Sequence, residues 1–228
     1  MSTHLKTILG QPAVAGIAVV AILLFGSSPA APQSGHNLKT PPTWKARYDD
    51  GSAGGRYYEV MRPGWHIHAG PAGIFWDPGR FATGNYSVTS TIFLFPPGTG
   101  DPPSSVDTPY GLLLGGDGLD RPSGSYVTFM LRNDGRFSVA RHRGLERHEL
   151  VPWTPSDAIS IWTENLEGTA KNVVVVDAME DDVIFWVNDM QVASLPRADL
   201  PVEGTVGLRA GEGLSLHITA VTIGPNRR

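Results

Sequence analysis

Asn172-Val173-Val174-Val175-Val176, then Val183-Ile184-Phe185-Trp186-Val187-Asn188-Asp189, Gly204-Thr205-Val206-Gly207-Leu208 and Leu214-Ser215-Leu216-His217-Ile218 decide the fold class. Each run is short and dense in β-branched or aromatic side chains, which favour a pleated, half-buried surface. Asp181-Asp182, Asn188-Asp189 and Gly211-Glu212-Gly213 separate the runs, and these residues accept the backbone angles of tight turns. The cadence predicts an all-β chain folded as an antiparallel β-sandwich.

The same signal extends upstream. Residues 56–60, 64–68 and 73–76 read as short strands, the first two separated by Pro63. The longest strand candidate covers 85–95, where Tyr86, Val88, Ser90, Ile92 and Leu94 share one face. Residues 110–114, 125–131 and 136–141 continue the pattern, and Asn133-Asp134-Gly135 marks a hairpin between the last two. Residues 96–109 (PPGTGDPPSSVDTP) form a loop of a length usually tied to binding or contact. Gly (27) and Pro (19) make up about a fifth of the 228 residues, which favours many turns over long helices.

Composition narrows the function classes. Hydrophobic residues are 41% of the chain, enough for a packed core. A net charge of −4 argues against a nucleic-acid partner, which normally requires an electropositive footprint. The absence of cysteine rules out disulfides, thiolate zinc sites and thiol catalysis. No Gly-x-Ser-x-Gly elbow, phosphate-cradling loop or dinucleotide fingerprint is present.

The N-terminus gives an address. Lys6 precedes an apolar run that includes Ile17, Val20, Leu23, Leu24 and Phe25. A cleavable signal and a membrane anchor both begin this way. The run is near the lower limit for a helix that crosses the bilayer, about 20 residues. Ser28-Pro29-Ala30 offers small residues for cleavage near Ala30, which would release a secreted domain. Retained, the segment places a single-pass anchor in a bacterial inner membrane with the sandwich on the periplasmic side. The expected organisation is an anchor or signal at 1–26, a Pro/Ser/Gly linker at 27–44 and the sandwich at 45–228.

The run Tyr126-Val127-Thr128-Phe129-Met130-Leu131-Arg132-Asn133-Asp134-Gly135-Arg136-Phe137-Ser138-Val139 resembles the central hairpin of concanavalin A-like (laminin G-like) jelly rolls. So do Trp153 ahead of Ser156-Asp157-Ala158-Ile159, Asn172 opening a Val-rich strand, the strand-turn-strand unit Phe185–Val192, and Gly204–Leu208. The resemblance covers residues 84–223 and implies a jelly roll of the bacterial exported type. Its relatives are carbohydrate-binding modules or hydrolases of glycosides and keto-sugars. The glucanase members carry two glutamates and an aspartate alternating along one strand, where a carboxylate pair performs the hydrolysis. This chain lacks Glu-x-Asp-x-x-Glu, and Glu180-Asp181-Asp182 is consecutive and falls in a turn.

Four local features are candidates for binding. His66 and His68 lie two apart on one strand face, a spacing suited to a pair of metal ligands, with a polar outward face as the alternative. Trp65 and Trp76 flank turns and are the expected surface aromatics for stacking on a sugar or a partner. Asp117 and Asp120, in Gly115-Gly116-Asp117-Gly118-Leu119-Asp120, could supply calcium ligands or could simply form a turn. Arg141-His142-Arg143 with Arg147-His148 reads as a solvated basic loop face, or as a contact for an anion or lipid headgroup.

Three functions follow. The anchor, the linker, the long loop and the missing catalytic set favour a non-catalytic accessory subunit of an integral-membrane complex, photosynthetic or respiratory for example. The resemblance and the tryptophans favour an exported carbohydrate-binding module. A keto-sugar or glycoside hydrolase rests on the fold alone.

Overall fold

The computed structural model describes residues 43–52, 58–99, 103–144 and 146–227. The anchor residues Ile17, Val20, Leu23, Leu24 and Phe25 and nearly all of the 27–44 linker lie outside the described residues. In chain order the strands are β1 (Lys45–Tyr48), β2 (Tyr58–Val60), β3 (Trp65–His68), β4 (Gly73–Ala82), β5 (Tyr86–Leu94), β6 (Tyr110–Asp117) and β7 (Ser125–Leu131). They continue with β8 (Arg136–Arg143), β9 (Glu146–Pro155), β10 (Ala170–Ala178), β11 (Asp182–Val187), β12 (Met190–Pro196), β13 (Gly204–Ala210) and β14 (Ser215–Gly224). Among the described residues the one helical element is a single 3-10 turn at Arg197–Asp199, so none is long and apolar enough to cross a membrane.

Two seven-stranded antiparallel sheets face each other. The first runs β1-β4-β13-β6-β7-β8-β9 and the second β12-β11-β10-β5-β14-β3-β2. Alternation assigns the faces. Tyr86, Val88, Ile92 and Leu94 of β5 point into the core, as do Val127, Phe129 and Leu131 of β7 and Val174 and Val176 of β10. Phe129 of the first sheet meets Phe185 of the second edge-on, with ring centroids 5.0 Å apart. Such a pair contributes roughly 0.5–1.5 kcal/mol beyond its buried area.

The turns obey their chemistry. Asn188 (φ 48°) and Asp189 (φ 65°) both take the left-handed conformation that a two-residue hairpin requires, so β11 reverses directly into β12. Asn is one of the residues that tolerate this conformation, and here Asn188 Oδ1 accepts from the Val173 amide of the neighbouring strand at 2.8 Å. The β7–β8 hairpin closes at Gly135 (φ 77°), whose amide donates to the Arg132 carbonyl at 3.2 Å.

Residues 146–155 depart from expectation. The solvated loop face expected around Arg147 and His148 is strand β9, paired with β8 through His142↔Arg147 and Arg141↔His148. β9 is the edge of its sheet, which explains how it accommodates Pro152 and Pro155: a residue with no N–H costs nothing where no partner strand follows. The strand's polar composition, with just Leu150 and Val151 packed against the core, concealed it.

One polar cluster ties the layers together. The side chain of Asn172 is fully buried. Its amide donates to the Tyr110 hydroxyl (3.1 Å) and the Ser160 carbonyl (2.8 Å). Its oxygen accepts from the Ser160 amide (2.9 Å) and the Asn188 side chain (2.9 Å). Removing this group leaves several buried partners unsatisfied at once, each worth roughly 1–3 kcal/mol. Replacing Asn172 by Leu is therefore expected to lower the unfolding free energy by about 3 kcal/mol in urea titrations. The exposed Thr99→Ala should change it by under about 0.5 kcal/mol.

Candidate functional site

The expected surface aromatics are core residues. Trp65 is 7% exposed and Trp76 5%. Trp65 points inward with Ile67 and packs at 4.6 Å from the ring of Trp44. Trp76 is on the outer face of the first sheet but belongs to a second apolar cluster with Ile74, Leu113, Leu119 and Tyr126. Neither ring is open to stack on a sugar. The glycines and prolines that suggested exposure flank strands, and the strands decide the burial.

His66 and His68 do share an outward face, and β14 brings a third imidazole beside them through the pairing His66↔His217. His66 sits 4.4 Å from His68, stacks edge-on with Phe95 at 4.9 Å and bonds Ser215 Oγ through Nε2 at 3.1 Å. Burial, followed by the neighbouring imidazoles of His68 and His217, lowers its pKa to about 4, so it is neutral near pH 7. Among the described residues no three His, Asp or Glu side chains are placed to hold a metal ion. The face is thus a packed patch of imidazoles and phenylalanines in which His66 is neutral.

Asp117 ends β6 and Asp120 lies in the following loop, both exposed. The loop is a pair of tight turns, with Arg121 N–H donating to Gly118 O (2.9 Å) and Gly124 N–H to Arg121 O (3.0 Å). It carries Leu119 into the second apolar cluster and leaves Asp120 on the rim of a cavity.

That cavity is the strongest candidate site. It encloses about 440 Å³ on the outer face of the first sheet. Its polar lining among the described residues includes Arg47, Asp49, Tyr126, His142, Arg147 and Arg209. β13 delivers Arg209, β7 Tyr126, β8 His142, β9 Arg147 and β1 Arg47, so five strands place the groups. Alternation sets this outcome: Val127, Phe129, Phe137 and Val139 face the core, which turns Tyr126 and His142 outward.

The groups are tied to one another. Arg209 grips Asp49 through two bonds of 3.2 and 2.5 Å and donates to the Tyr126 hydroxyl at 3.1 Å. Tyr126 and His142 are cross-strand partners whose rings stack with centroids 4.6 Å apart and planes 8° from parallel. His142 Nε2 bonds the buried Thr128 Oγ1 at 3.0 Å. Burial, then the nearby Arg209 and Arg147, lowers the His142 pKa to about 4. Burial raises that of Tyr126 against the pull of Arg209. Both rings are therefore neutral at pH 7 and act as hydrogen-bonding groups. Arg147 bonds Glu149 at 2.6 Å, and Arg47 donates to the Arg121 carbonyl.

Strands β7 and β8 present no carboxylate to the cavity. The outward residues of β7 are Tyr126, Thr128 and Met130, and those of β8 are Ser138, Ala140 and His142; none is acidic. Asp49 has both oxygens engaged by Arg209, and a general acid must keep an oxygen free to deliver a proton.

No protein-family model matches the sequence, and neither does any curated protein. Solved structures do match. The carbohydrate-binding module CBM66 of Bacillus subtilis superposes with a TM-score of 0.55 at 11% identity, covering 80% of this chain and 95% of that one. The laminarinase catalytic domain of Thermotoga maritima gives 0.56 at 9% identity, covering 85% and 95%. A Bacteroides ovatus GH16 protein in complex with a G4G4G3G product gives 0.54 at 10% identity, covering 82% and 97%. At such identities the likeness establishes the fold. This domain is a concanavalin A-like jelly-roll sandwich.

The sequence drew attention to His142 and Arg147 as part of a basic run but gave no sign of Arg209 or Asp49. Those two lie 160 residues apart in the chain. The depressed imidazoles carry a pH signature. His66 and His142 bind a proton below about pH 4 when folded and near 6.5 when unfolded. The unfolded state therefore holds more protons between these values, and stability falls as pH drops through that window. Each group is expected to lower stability by on the order of 1–2 kcal/mol at pH 4.5, after allowance for partial solvent screening. Urea midpoints at pH 7.5 and 4.5 test this, and His66→Gln should narrow the gap between them.

Proposed function

We propose that this chain is a non-catalytic carbohydrate-binding domain that takes a saccharide into the cavity on the outer face of its first sheet. The observation that carries the reading is the cavity itself: a recess of about 440 Å³ whose arginines, tyrosine and histidine are fixed on five sheet strands, with Asp49 and Asp120 supplied by adjoining turns. Sugars are recognised by hydrogen bonds in pairs to adjacent hydroxyls. Guanidinium forks, a tyrosine hydroxyl, a neutral imidazole and carboxylates supply them. Preorganisation lowers the ordering cost of binding, and here the ion pair and the stacked rings hold the groups before a ligand arrives. Structural neighbours that include a carbohydrate-binding module and a product-bound GH16 glucan protein support this reading.

The accessory-subunit role draws on the anchor and linker, nearly all outside the described residues, on the long loop at 96–109 and on a missing catalytic set that a binding module lacks equally. The cavity supports the saccharide reading. We place the domain outside the cytoplasm, held at the membrane by residues 1–26 or released by cleavage near Ala30. Intact mass of the native protein distinguishes these two forms.

A panel of immobilised polysaccharides tests the function. Saturable binding to at least one polymer is expected, weakened at least tenfold by Arg147→Ala and unchanged by Phe81→Ala, a substitution at an exposed ring outside the cavity. Absence of binding to every polymer, or binding that ignores Arg147, would sink the proposal.

A further inference from the structure

The charge on the cavity face runs against that of the whole chain. A second recess of about 310 Å³ shares Tyr126 and His142 with the first and continues across β8 and β9. Together the two recesses are lined by Arg47, Arg141, Arg143, Arg147 and Arg209. Against these five guanidiniums stand three carboxylates, Asp49, Asp120 and Glu146. The chain as a whole carries −4. A positive strip on an acidic protein concentrates field lines and raises the local concentration of an anionic ligand there, while the rest of the surface repels it.

The arginines differ in how firmly they are engaged. Arg209 is committed to Asp49. Arg47 bonds the Arg121 carbonyl and the Tyr126 hydroxyl and has no carboxylate partner among the described residues. Arg147 bonds Ser138 Oγ at 3.3 Å and Glu149 at 2.6 Å, the latter a neighbour on its own exposed edge strand, and an ion pair of that kind is worth roughly 0–1 kcal/mol. A ligand carboxylate can exchange for Glu149 at little cost. Within the first recess Arg47 and Arg147 are therefore the guanidiniums open to exchange with an incoming anion, with Arg209 as their fixed neighbour and Arg141 and Arg143 adding charge from the second recess.

Resting on the carbohydrate reading above, we infer that the ligand is an acidic polysaccharide whose uronate carboxylate is held by Arg47 and Arg147, with Asp120 accepting from its hydroxyls. A planar guanidinium fork matches a planar carboxylate in two parallel bonds. The mixture of charges decides against a polyphosphate. A surface built for nucleic acid or anionic lipid gains from cations alone and is penalised by acidic groups. A sugar acid offers an anion to the arginines and donor hydroxyls to Asp120, so it uses both signs.

Titration calorimetry of the full chain tests the inference with polygalacturonate, the same polymer after reduction of its carboxyls to alcohols, laminarin, dextran sulfate and duplex DNA. Polygalacturonate is expected to bind at least tenfold tighter than its reduced form and than laminarin. Raising salt from 50 to 500 mM should weaken it severalfold. Arg47→Gln and Arg147→Gln should each reduce affinity fivefold or more, with thermal melts confirming that both variants fold. Because carboxyl reduction alters the ligand alone, it reads selectivity even if a variant fails to fold. Equal binding of the reduced polymer or of laminarin overturns acid selectivity while leaving the carbohydrate function standing. Equal or tighter binding of dextran sulfate or DNA overturns the sugar-acid assignment in favour of unspecific charge. Binding of no saccharide at all overturns both readings.

Discussion

The amide side chain of Asn172 is the interaction on which the arrangement of the sandwich depends. It sits where β10 enters the second sheet and reaches Tyr110 at the start of β6 in the first, bridging the two layers by a hydrogen bond through the apolar core. The same side chain fixes the main chain at Ser160, in the segment that carries the chain from β9 to β10, and bonds Asn188 in the β11–β12 turn. A buried amide is unfavourable unless all its bonds are made, and here its oxygen and nitrogen are both served. That requirement fixes register. A shift of one residue along β10 would turn Asn172 outward and its valine neighbours with it.

The cavity face follows from the same alternation. Because one set of side chains on β7 and β8 must fill the inter-sheet core, the other set projects from the opposite side whatever its chemistry. Tyr126 and His142 meet there because they are directly opposed across the strand pair. Their ring stack and the Asp49–Arg209 fork make the face rigid, since each group is held by at least one neighbour. Both outer faces of the sandwich bear histidines, yet the two differ. His66 lies against His68 and Phe95, with His217 and Phe93 paired on the same face, whereas His142 lies among guanidiniums. Burial keeps His66 and His142 neutral, and His142 borders the arginine-lined recess.

Strand content was legible because period-two patterning and turn residues are local signals. The Val-rich β10, the Asn188-Asp189 turn and the β7–β8 hairpin appear in the structure where the residues place them. β9 was not legible: an edge strand needs one buried face and tolerates proline, so its sequence resembles a loop. Trp65 and Trp76 misled for a related reason. A neighbouring Gly or Pro reports a turn in the backbone and says nothing about whether the adjacent ring faces the other sheet.

The sequence by itself determined the class of fold, the jelly-roll resemblance and the lack of an alternating carboxylate triad, because each depends on residues close together in the chain. The tertiary structure alone decided the site. Asp49 and Arg209 are separated by 160 residues and meet because β1 and β13 both pair with β4, which lies between them in the first sheet. Arg47 and Arg147 reach the same recess from near opposite edges of that sheet. Non-local strand pairing leaves no periodic trace in a sequence, so the basic recess on an acidic chain becomes visible when the strands are assembled.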